Sequence, residues 1–390
     1  MDTPPDASYR DPDPFTVQAQ GHSFTFLPHG ADRLSALIEM IESAQASIAM
    51  YYYLFDDDVC GTQVRDALAD AARRGVAVRL IVDDFGNDAG RAFFDPLIEA
   101  GGSFALFSSR WSMRYLVRNH QKIVIADDLR AMTGGANVSD HYFKPPEENG
   151  WCDLSVIIEG PVVAKFVAWF ALVNRWVQSE QSGQVEQLRQ LRDIVSRWDA
   201  GDGPVRLLVG GPLVRDGHWA WQFRQDLIRA KRLDAVSAYF SPPRSFRLQI
   251  AKLARRGRVR LIMAGKSDIG AAIDMARLLY RKLLAAGTSI FEFQPCKLHM
   301  KLIVVDDASY VGSANLDKRS FRINVELMVR IEDAAVAAAL RGMIDHFESA
   351  SIAVTPQWYA RLAGPFTRLR WRLAYWMSLA DYRVSSLSAR

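Results

Sequence analysis

One pattern of residues occurs twice in this chain of 390 residues, and the repetition constrains the fold more than any other feature of the sequence. The first copy, NHQKIVIADDLRAMTGGAN, has histidine, lysine and aspartate at H-x-K-x₄-D spacing, followed by two glycines and an asparagine. The second copy, LHMKLIVVDDASYVGSAN, keeps this order but has a serine in place of the second glycine. The motif residues are His120, Lys122, Asp127, Gly134, Gly135 and Asn137 in the first copy, and His299, Lys301, Asp306, Gly312, Ser313 and Asn315 in the second.

The residues before each motif also repeat. ADRLSALIEMIESAQ has apolar residues at helical spacing, ASIAMYYYLF is typical of a buried strand, and GTQVRDALADAARRG predicts a second helix that ends at Gly75. Residues 219–293 follow the same plan, and AARRGVAVRLIV is close to LARRGRVRLIM around Gly257. The motif histidine follows this glycine by 45 residues in the first half and by 42 in the second. An internal duplication is the simplest explanation, and the alternation of strands and helices predicts α/β units with largely parallel sheets.

Changes in composition predict where the units begin and end. The Pro- and Asp-rich start indicates a flexible tail over residues 1–14. A polar stretch that ends in Gly, Asp and Pro, near residues 198–204, indicates the boundary between a first domain, residues 15–200, and a second, residues 201–360. The aromatic helix FVAWFALVNRWVQ before this boundary is typical of core packing. Residues 361–390 form a separate, basic and aromatic amphipathic segment.

Composition argues against several classes of protein. The formal net charge of +4 is too small to indicate a nucleic-acid-binding face by itself, although its sign favours anionic partners. Three widely spaced cysteines without a CxxC pair predict neither a disulfide framework nor a zinc site, and they fit a reducing compartment. We expect the aspartates at the strand ends in YYYLFDDD and IVDDFGND to cap helices rather than to bind metal. No stretch of about eighteen residues is continuously apolar, so we expect no transmembrane helix.

The repeated motif suits attack at phosphorus. On a strand, residues two apart point to the same face, so each histidine projects beside its lysine. Phosphodiester transfer needs positive charge and hydrogen-bond donors around the non-bridging oxygens, which two lysines and two asparagines supply without a metal. In-line displacement also needs groups on opposite sides of phosphorus. Two histidines meet this need if the halves pack about a pseudo-two-fold axis, one as a nucleophile that forms a covalent intermediate and the other as proton donor and acceptor.

Each histidine also needs a carboxylate that fixes its tautomer. Asp153 lies 33 residues after His120 in GWCDLSV, and Glu326 lies 27 residues after His299 in RINVELMV. Both precede strand-like runs, so we expect these two carboxylates to orient the histidines. Ser313 adds a hydroxyl group in the second half, where the first half has a glycine.

The double motif with its trailing Gly-(Gly/Ser)-x-Asn resembles the phospholipase D superfamily over about residues 30–355. RNHQKIVIADDLRAMTGGANVSDHYF, WCDLSVIIEGPVV and VGSANLDKRSFRINVELMV are similar to bacterial cardiolipin synthases, in the branch without N-terminal transmembrane helices. This resemblance implies two phospholipase D-like α-β-α domains, with mostly parallel or mixed sheets, that share one catalytic site at their interface. It implies His120 as nucleophile and His299 as general acid and base. It further implies, without a metal or cofactor, orientation of the histidines by Asp153 and Glu326, phosphate binding by Lys122, Lys301, Asn137, Asn315 and Ser313, and structural roles for Asp127, Asp306, Gly134, Gly135 and Gly312.

By the same resemblance, the chain transfers a phosphatidyl group through a phosphohistidine. The expected reaction makes cardiolipin from phosphatidylglycerol and a second phospholipid, which is phosphatidylglycerol or phosphatidylethanolamine. The expected partners are phospholipid substrates and an anionic membrane surface, not nucleic acid, with the enzyme peripheral to the cytoplasmic side of the bacterial inner membrane. Three alternatives stay open: phospholipase D hydrolysis or transfer to another alcohol, a nuclease-type phosphodiesterase, and a lipid-binding protein with a decayed site.

Two further segments mix aromatic residues with arginines. PFTRLRWRLAYWMSLADYRVSSLSAR, at the C-terminus, has five arginines against one acid. It suits a lipid interface, with rings at headgroup depth and arginines on lipid phosphates, or a helix docked on the protein's own core. SSRWSMRYLVRNH, which contains Arg110, Arg114 and Arg118, suits either the lining of a lipid entrance or a structural loop.

Overall fold

The first half of the chain forms one sheet of eight strands with helices between them. The computed structural model describes residues 9–87, 89–107, 117–179, 184–212 and 217–388. The strands of the first half are β1 (Phe15–Ala19), β2 (His22–Leu27), β3 (Ser47–Tyr52), β4 (Ala77–Val82), β5 (Ser103–Leu106), β6 (Lys122–Ala126), β7 (Arg130–Gly134) and β8 (Ser155–Glu159). Its helices are α1 (Gly30–Ser43), α2 (Val59–Arg73), α3 (Asp95–Glu99), α4 (Asp140–Phe143), α5 (Val163–Gln178) and α6 (Gln184–Ser196).

The second half forms another sheet of eight strands and a small two-stranded pair, β11 with β16. Its strands are β9 (Val205–Gly210), β10 (Arg232–Ser237), β11 (Phe240–Ser241), β12 (Arg258–Ala264), β13 (Ser289–Phe293), β14 (Lys301–Val305), β15 (Ala308–Gly312), β16 (Leu316–Asp317), β17 (Glu326–Glu332) and β18 (Ser351–Ala353). Its helices are α7 (His218–Arg229), α8 (Arg244–Ala254), α9 (Gly270–Leu284), α10 (Lys318–Arg322), α11 (Ala334–Ser349), α12 (Pro356–Leu362) and α13 (Pro365–Ser388).

The two large sheets repeat one strand order. The first sheet runs β1-β2-β8-β7-β6-β3-β4-β5, and the second, taken in the reverse direction, runs β9-β17-β15-β14-β10-β12-β13-β18. Seven consecutive strands therefore correspond one to one, from β2 to β5 and from β9 to β13. Parallel pairs join only β3, β4 and β5 in the first sheet, and β10, β12 and β13 in the second. The expected duplicated α/β fold is confirmed. The sheets are mixed rather than largely parallel, because each motif strand, β6 or β14, runs antiparallel to both of its neighbours.

The two motif aspartates hold the turns that follow β6 and β14. Asp127 and Asp306 both have positive φ, at 54° and 47°. The carboxylate of Asp127 accepts hydrogen bonds from the backbone N–H groups of Ala46, at 2.7 Å, and Ser47, at 2.9 Å. Asp306 accepts the equivalent bond from Arg232 N at 2.8 Å. Each aspartate thus ties the motif hairpin to the start of the neighbouring strand, β3 or β10, and it lies away from the histidine end of the motif strand.

A shared hydrophobic core joins the halves, and α5 contributes its aromatic face to it. Phe166 and Trp169 are fully buried, which confirms the expected core packing of this helix. Trp169 Nε1 also donates a 2.7 Å hydrogen bond to the side chain of Gln121, which lies between the first motif histidine and lysine. The helix therefore supports the motif strand as well as the core.

The N-terminal residues pack on the second half. The ring of Tyr9 is buried and lies edge-on to Phe293, with ring centroids 5.2 Å apart. His346 Nε2 lies 2.9 Å from the carbonyl oxygen of Arg10, to which it donates. Residues 9–14 have no helix or strand, but they are anchored by these contacts. The flexible tail predicted over residues 1–14 is therefore too long at its C-terminal end, because the ring of Tyr9 is buried in the core.

The C-terminal helix α13 has two different faces. Trp371 is fully buried where α13 packs against α9. Phe366, Leu369, Leu373 and Trp376 lie on another face and keep 88%, 53%, 55% and 62% of their surface exposed. Both interpretations of this segment thus have a counterpart, since one face docks on the core and the other is uncovered. Among the described residues, no helix combines the length and the apolarity needed to cross a membrane.

Candidate active site

Backbone bonds between the halves place the two motif histidines. The residue before each histidine forms a parallel bridge with the other half, Asn119 with Val325 and Leu298 with Cys152. His120 N donates to the carbonyl of Val325 at 2.9 Å, and the second motif histidine makes the equivalent bond to Cys152 at 2.8 Å. Val325 and Cys152 directly precede the two candidate carboxylates. Each histidine is therefore set beside the carboxylate of the opposite half.

This exchange decides which carboxylate orients which histidine. His120 Nδ1 lies 3.2 Å from Glu326 Oε2 and 3.1 Å from the carbonyl oxygen of Ser313. His299 Nδ1 lies 2.7 Å from Asp153 Oδ2. Sequence order groups each carboxylate with the histidine of its own half, whereas the structure pairs them across the interface. Because the neighbours of His120 Nδ1 are both acceptors, that nitrogen carries the proton and Nε2 keeps a free lone pair.

Glu326 lies at the base of a hydrogen-bond network. Its Oε2 accepts a bond of 2.5 Å from the Ser313 hydroxyl, and its Oε1 accepts bonds from Ser320 Oγ at 2.7 Å and Asn324 Nδ2 at 3.3 Å. Burial raises the pKa of this carboxyl, but the opposing effects of His120 and of the hydrogen bonds outweigh burial and leave the pKa below its ordinary value. Glu326 is therefore a fixed anion. The Ser313 hydroxyl thus donates to Glu326, whereas the resemblance implied that it binds phosphate.

Asp153 is held by different means. Its carboxylate Oδ1 accepts a 2.7 Å bond from Leu154 N, and the carbonyl of Asp153 accepts a 2.8 Å bond from the fully buried Arg33. Burial raises the pKa of Asp153, while Lys301 and His299 outweigh burial and hold it low. A Cβ atom at Gly135 would lie only 2.3 Å from Asp153 Oδ1. The absence of a serine hydroxyl in the first copy therefore has a steric cause.

Both histidines are neutral at neutral pH. Burial lowers the pKa of His120 to about 4, and the positive charge of Lys122 adds to the effect. Burial lowers the pKa of His299 to about 4 in the same way, with Lys301 as the second cause. The partner carboxylates oppose these effects without reversing them. A neutral imidazole whose Nδ1–H is directed at a carboxylate presents Nε2 as a nucleophile or base.

The two motif lysines lie against the histidines and are almost fully buried. Lys122 Nζ donates a 2.7 Å bond to the carbonyl of His120 and lies 5.2 Å from the centre of the Tyr53 ring. Lys301 Nζ lies 2.7 Å from Nδ1 and 3.0 Å from Nε2 of His299. Burial lowers the pKa of Lys301 to about 8 and that of Lys122 well below its ordinary value. Both lysine Nζ atoms lie behind the histidines as seen from the cavity that the histidines line, so their charges act on the site from that side.

One cavity of about 550 Å³ receives side chains from both halves. His120, His299, Asn137 and Asn315 all line it, while the lysines, the two carboxylates and Ser313 lie behind this surface. The amide of Asn137 accepts a bond from Leu54 N at 3.2 Å and donates one of 3.0 Å to the hydroxyl of Tyr142. Among the described residues, no cluster of three or more His, Cys, Asp or Glu side chains could hold a metal ion.

Sequence reasoning missed the aromatic rings around the histidines. The Tyr53 ring centre lies 4.9 Å from that of His120. Tyr142, Trp151 and Tyr239 lie 5.1, 5.7 and 6.3 Å from His299. Of these rings, Tyr53 alone had a signal in the sequence, because it directly follows β3, the strand that pairs with the motif strand β6.

Charged and apolar side chains complete the rim of the same cavity. Lys318, three residues after the end of the second motif, lines it together with Ala374, Met377 and Ser378 of α13. Arg118 also lines the cavity, whereas Arg110 and Arg114 lie outside the described residues. The contribution of α13 had no local signal, because it depends on how a helix packs more than fifty residues after the second motif.

A family model described as cardiolipin synthase, PLD-like domain, matches residues 37–173 and 224–348. The chain belongs to this family. Cardiolipin synthase A of Pseudomonas syringae pv. syringae (strain B728a) is 30% identical over 328 residues, which cover 82% of this chain and 67% of that protein. The major cardiolipin synthase of Bacillus subtilis (strain 168) is 32% identical over 340 residues, which cover 83% and 68%. This member of the cardiolipin synthase family thus spans about two thirds of the length of these relatives.

Solved structures show the same fold. A phosphatidylserine synthase from Haemophilus influenzae Rd KW20 superimposes with a TM-score of 0.75, at 15% identity, over 96% of each chain. At this identity the likeness concerns the fold alone. The class of reaction follows from the relatives that are similar in sequence, which identify this family member as a phosphatidyltransferase of the phospholipase D superfamily.

Proposed function

We propose that this protein makes cardiolipin from phosphatidylglycerol and a second phospholipid, through a phosphohistidine at His120. The observation that carries the proposal is the pairing of each motif histidine with a carboxylate of the other half. Two histidines from different halves line one cavity, and each Nδ1 faces a buried carboxylate of the other half. This arrangement supplies two imidazole Nε2 atoms for one reaction at phosphorus.

The first step transfers the phosphatidyl group to the protein. His120 Nε2 attacks phosphorus of the donor lipid, a P–N bond forms, and the P–O bond to the headgroup alcohol breaks. Glu326 stabilises the positive charge that develops on the attacking imidazole, because its Oε2 accepts a hydrogen bond from His120 Nδ1–H, 3.2 Å away. His299 gives a proton to the departing oxygen, so that glycerol leaves from phosphatidylglycerol or ethanolamine from phosphatidylethanolamine.

The second step returns the phosphatidyl group to a lipid. His299, now neutral, accepts the proton from a headgroup hydroxyl of phosphatidylglycerol. That oxygen attacks phosphorus, the P–N bond breaks and cardiolipin is released, with His120 regenerated. Water in place of the lipid hydroxyl would give phosphatidic acid, so the aromatic and apolar rim, which includes Trp151 and Met377, favours transfer by limiting access of water.

His299 takes up from solvent, when the anionic substrate binds, the proton that it gives to the leaving oxygen. Without substrate, burial and Lys301 keep the pKa of His299 near 4. A phosphodiester anion between the histidines opposes the positive charges of Lys122 and Lys301 and raises that pKa toward neutrality. Asn137 and Asn315 line the same cavity and offer amide groups to the non-bridging oxygens. The lysines act on phosphate through their charge from behind the imidazoles.

The proposed place of action is the cytoplasmic surface of the bacterial inner membrane. The uncovered apolar face of α13 supports membrane contact, because Phe366, Leu369, Leu373 and Trp376 are largely exposed on one side of a helix that also lines the catalytic cavity. A helix lying in the headgroup region would place the cavity mouth beside the lipid headgroups.

The direct test is a product analysis. Purified protein is incubated with phosphatidylglycerol vesicles, with and without phosphatidylethanolamine, and the lipids are resolved by mass spectrometry. We expect cardiolipin from the parent protein and none from His120→Ala, while His29→Ala, a half-buried histidine outside the cavity lining, serves as the control. Phosphatidic acid alone would identify a hydrolase, and cleavage of DNA without lipid turnover would identify a nuclease. Either result contradicts the proposal.

A further inference from the structure

A second cavity, of about 680 Å³, lies between α8, α9, α12 and α13, apart from the catalytic one. We call it the basic cavity. Helix α8 and its C-cap supply Arg244, Arg247 and Arg255, and α9 supplies Arg281 and Lys282. Two more cations, Arg368 and Arg372, come from α13. No aspartate or glutamate is among the described residues that line this cavity.

These seven cations have no counter-ion in the part of the chain that the structure describes. Neighbouring arginines on the same helices are paired: Arg277 with Glu292 at 2.6 Å and Arg370 with Asp274 at 2.8 Å. Arg247 Nε is enclosed without a hydrogen-bond partner among the described residues. Like charges gathered without acids repel one another, so the arrangement costs stability unless an anion fills it.

Tyr359 adds an uncharged donor to the basic cavity. Its side chain is only 7% exposed and lines the cavity, and its hydroxyl makes no hydrogen bond to any described residue. Arg368 and Arg281 both lie close enough to oppose, through their charge, the rise in its pKa that burial causes. A phenol O–H among guanidinium groups suits an oxygen-rich anion, which accepts from both kinds of donor.

Apolar side chains adjoin the same cations. Leu248 lines the basic cavity with 51% of its surface exposed, and Leu369 and Leu373, next to Arg368 and Arg372 on α13, are 53% and 55% exposed. A free phosphate ion would use only the cations. A ligand with an anionic head and acyl chains matches both the cations and the uncovered leucines, since it places charge in the cavity and hydrocarbon beside it.

Helix α13 links the basic cavity to the catalytic one. Tyr375 lines the basic cavity, and its hydroxyl accepts a 3.2 Å bond from Lys318 Nζ, which lines the catalytic cavity. Met377, two residues further along α13, also lines the catalytic cavity. A lipid held in the basic cavity would therefore fix the orientation of the helix that forms part of the catalytic rim.

We propose that the basic cavity binds the phosphate headgroup of an anionic phospholipid, as a docking site distinct from the catalytic cavity. The lipid is not a reactant here: it holds α13 on the membrane with the catalytic opening toward the bilayer. This proposal rests on the proposed action at a membrane surface, but not on any step of catalysis.

The test measures binding to vesicles in a His120→Ala background, so that no lipid is turned over. Phosphatidylcholine vesicles with and without phosphatidylglycerol are sedimented with the protein. The triple variant Arg247→Gln/Arg281→Gln/Arg372→Gln removes three cavity charges. The control Arg79→Gln/Arg175→Gln/Arg197→Gln removes three exposed charges from the first half, with the same change in net charge. Circular dichroism verifies that all variants are folded.

We expect the cavity variant to bind vesicles containing phosphatidylglycerol about 100-fold more weakly, because each basic side chain at an anionic surface strengthens binding about fivefold. The control should change binding less than about threefold. Equal losses in the two triple variants, or no loss in the cavity variant, would overturn the proposal. So would inorganic phosphate at about millimolar concentration displacing the vesicles, or cavity-dependent binding of duplex DNA without binding of the vesicles. If the parent protein makes no cardiolipin, these binding results still stand, so the two failures are distinguishable.

Discussion

His299 Nδ1 lies 2.7 Å from Asp153 Oδ2, although the two residues are 146 positions apart and belong to opposite halves of the duplication. His120 makes the equivalent contact with Glu326, 206 positions away. Neither half contains a complete histidine–carboxylate pair, so the duplicated fold builds one site instead of two. Packing of the halves is therefore a condition for chemistry as well as for stability.

Replacing the carboxylate at one of these contacts should affect turnover much more than folding. In Asp153→Asn, the amide can hold the wrong tautomer of His299, which then cannot act as acid and base. We expect kcat for cardiolipin formation to fall on the order of 10²–10⁴-fold, measured by the rate of product release. Glu159→Gln, at the exposed end of the adjacent strand β8, is the matched control. A fall of less than about threefold would show that Asp153 does not orient the histidine.

The steric contact at Gly135 predicts an asymmetry between the two motif copies. Gly135→Ser brings a Cβ to within 2.3 Å of Asp153 Oδ1 and must displace that carboxylate, so we expect kcat to fall about 100-fold. Ser313→Gly removes one of several donors to Glu326 and leaves the others in place, so we expect a fall of about tenfold. The two variants are compared under identical assay conditions. Equal effects, or a larger one for Ser313→Gly, would contradict the packing described at Gly135.

The buried histidines make stability depend on pH. Burial lowers the pKa of each to about 4, whereas the unfolded chain titrates near 6.5. The unfolded state therefore binds more protons between these values, and stability falls as the pH drops through that window. At pH 5 the loss is about 2 kcal/mol for each histidine, relative to pH 7. Urea unfolding at the two pH values should show this loss for the parent and not for His120→Gln/His299→Gln. Parallel losses in both proteins would rule out the histidines as its source.

Arg33 should be essential for stability. It is fully buried and donates to the carbonyl groups of Pro28 at 2.5 Å, Tyr142 at 2.6 Å and Asp153 at 2.8 Å. Arg33→Met would leave these acceptors buried without partners, at a cost of at least about 3 kcal/mol. Chemical denaturation measures this loss. The exposed Arg79→Met is the control, and a similar small change in both variants would contradict the role assigned to Arg33.

The uncovered face of α13 should carry the apolar part of membrane binding. Deletion of the helix is a poor test, because Trp371 fills the core of the second half. Phe366→Ser/Leu369→Ser/Trp376→Ser keeps that anchor, and we expect vesicle binding to weaken by about tenfold or more, even at high salt. The control changes three exposed apolar residues elsewhere, Val59→Ser/Leu129→Ser/Trp221→Ser. Unchanged binding in the α13 variant would reject membrane contact through this face.

The sequence predicted the elements well, because local patterns set them. Helices α1 and α2, the stop at Gly75, with φ of 90°, and the buried helix α5 all follow from periodicity and glycine. Asp58 caps α2 through a 2.8 Å bond from Gly61 N, as expected for an aspartate at a strand end. Each of these features depends on residues within one turn or one strand.

Features that depend on packing between distant segments were not predictable. Asp153 and Glu326 each pair with the histidine of the other half because a backbone bridge between the halves directly precedes each of them. The spacing of residues along the chain does not indicate these bridges. The same holds for Trp151, whose ring lies 5.7 Å from His299, and for α13, which adjoins both cavities. From the sequence, Tyr9 belongs to a flexible tail, whereas in the structure its ring is buried against Phe293 of the second half.

The central claim is that His120 becomes covalently bonded to phosphorus while His299 handles the proton. It is tested most directly by quenching the enzyme during turnover of phosphatidylglycerol in mildly alkaline detergent, which preserves P–N bonds, and by mapping modified peptides with mass spectrometry. The account predicts a phosphatidyl adduct on His120 in the parent protein and no adduct in His120→Ala. An adduct on His299, or turnover without any adduct on His120, would contradict it.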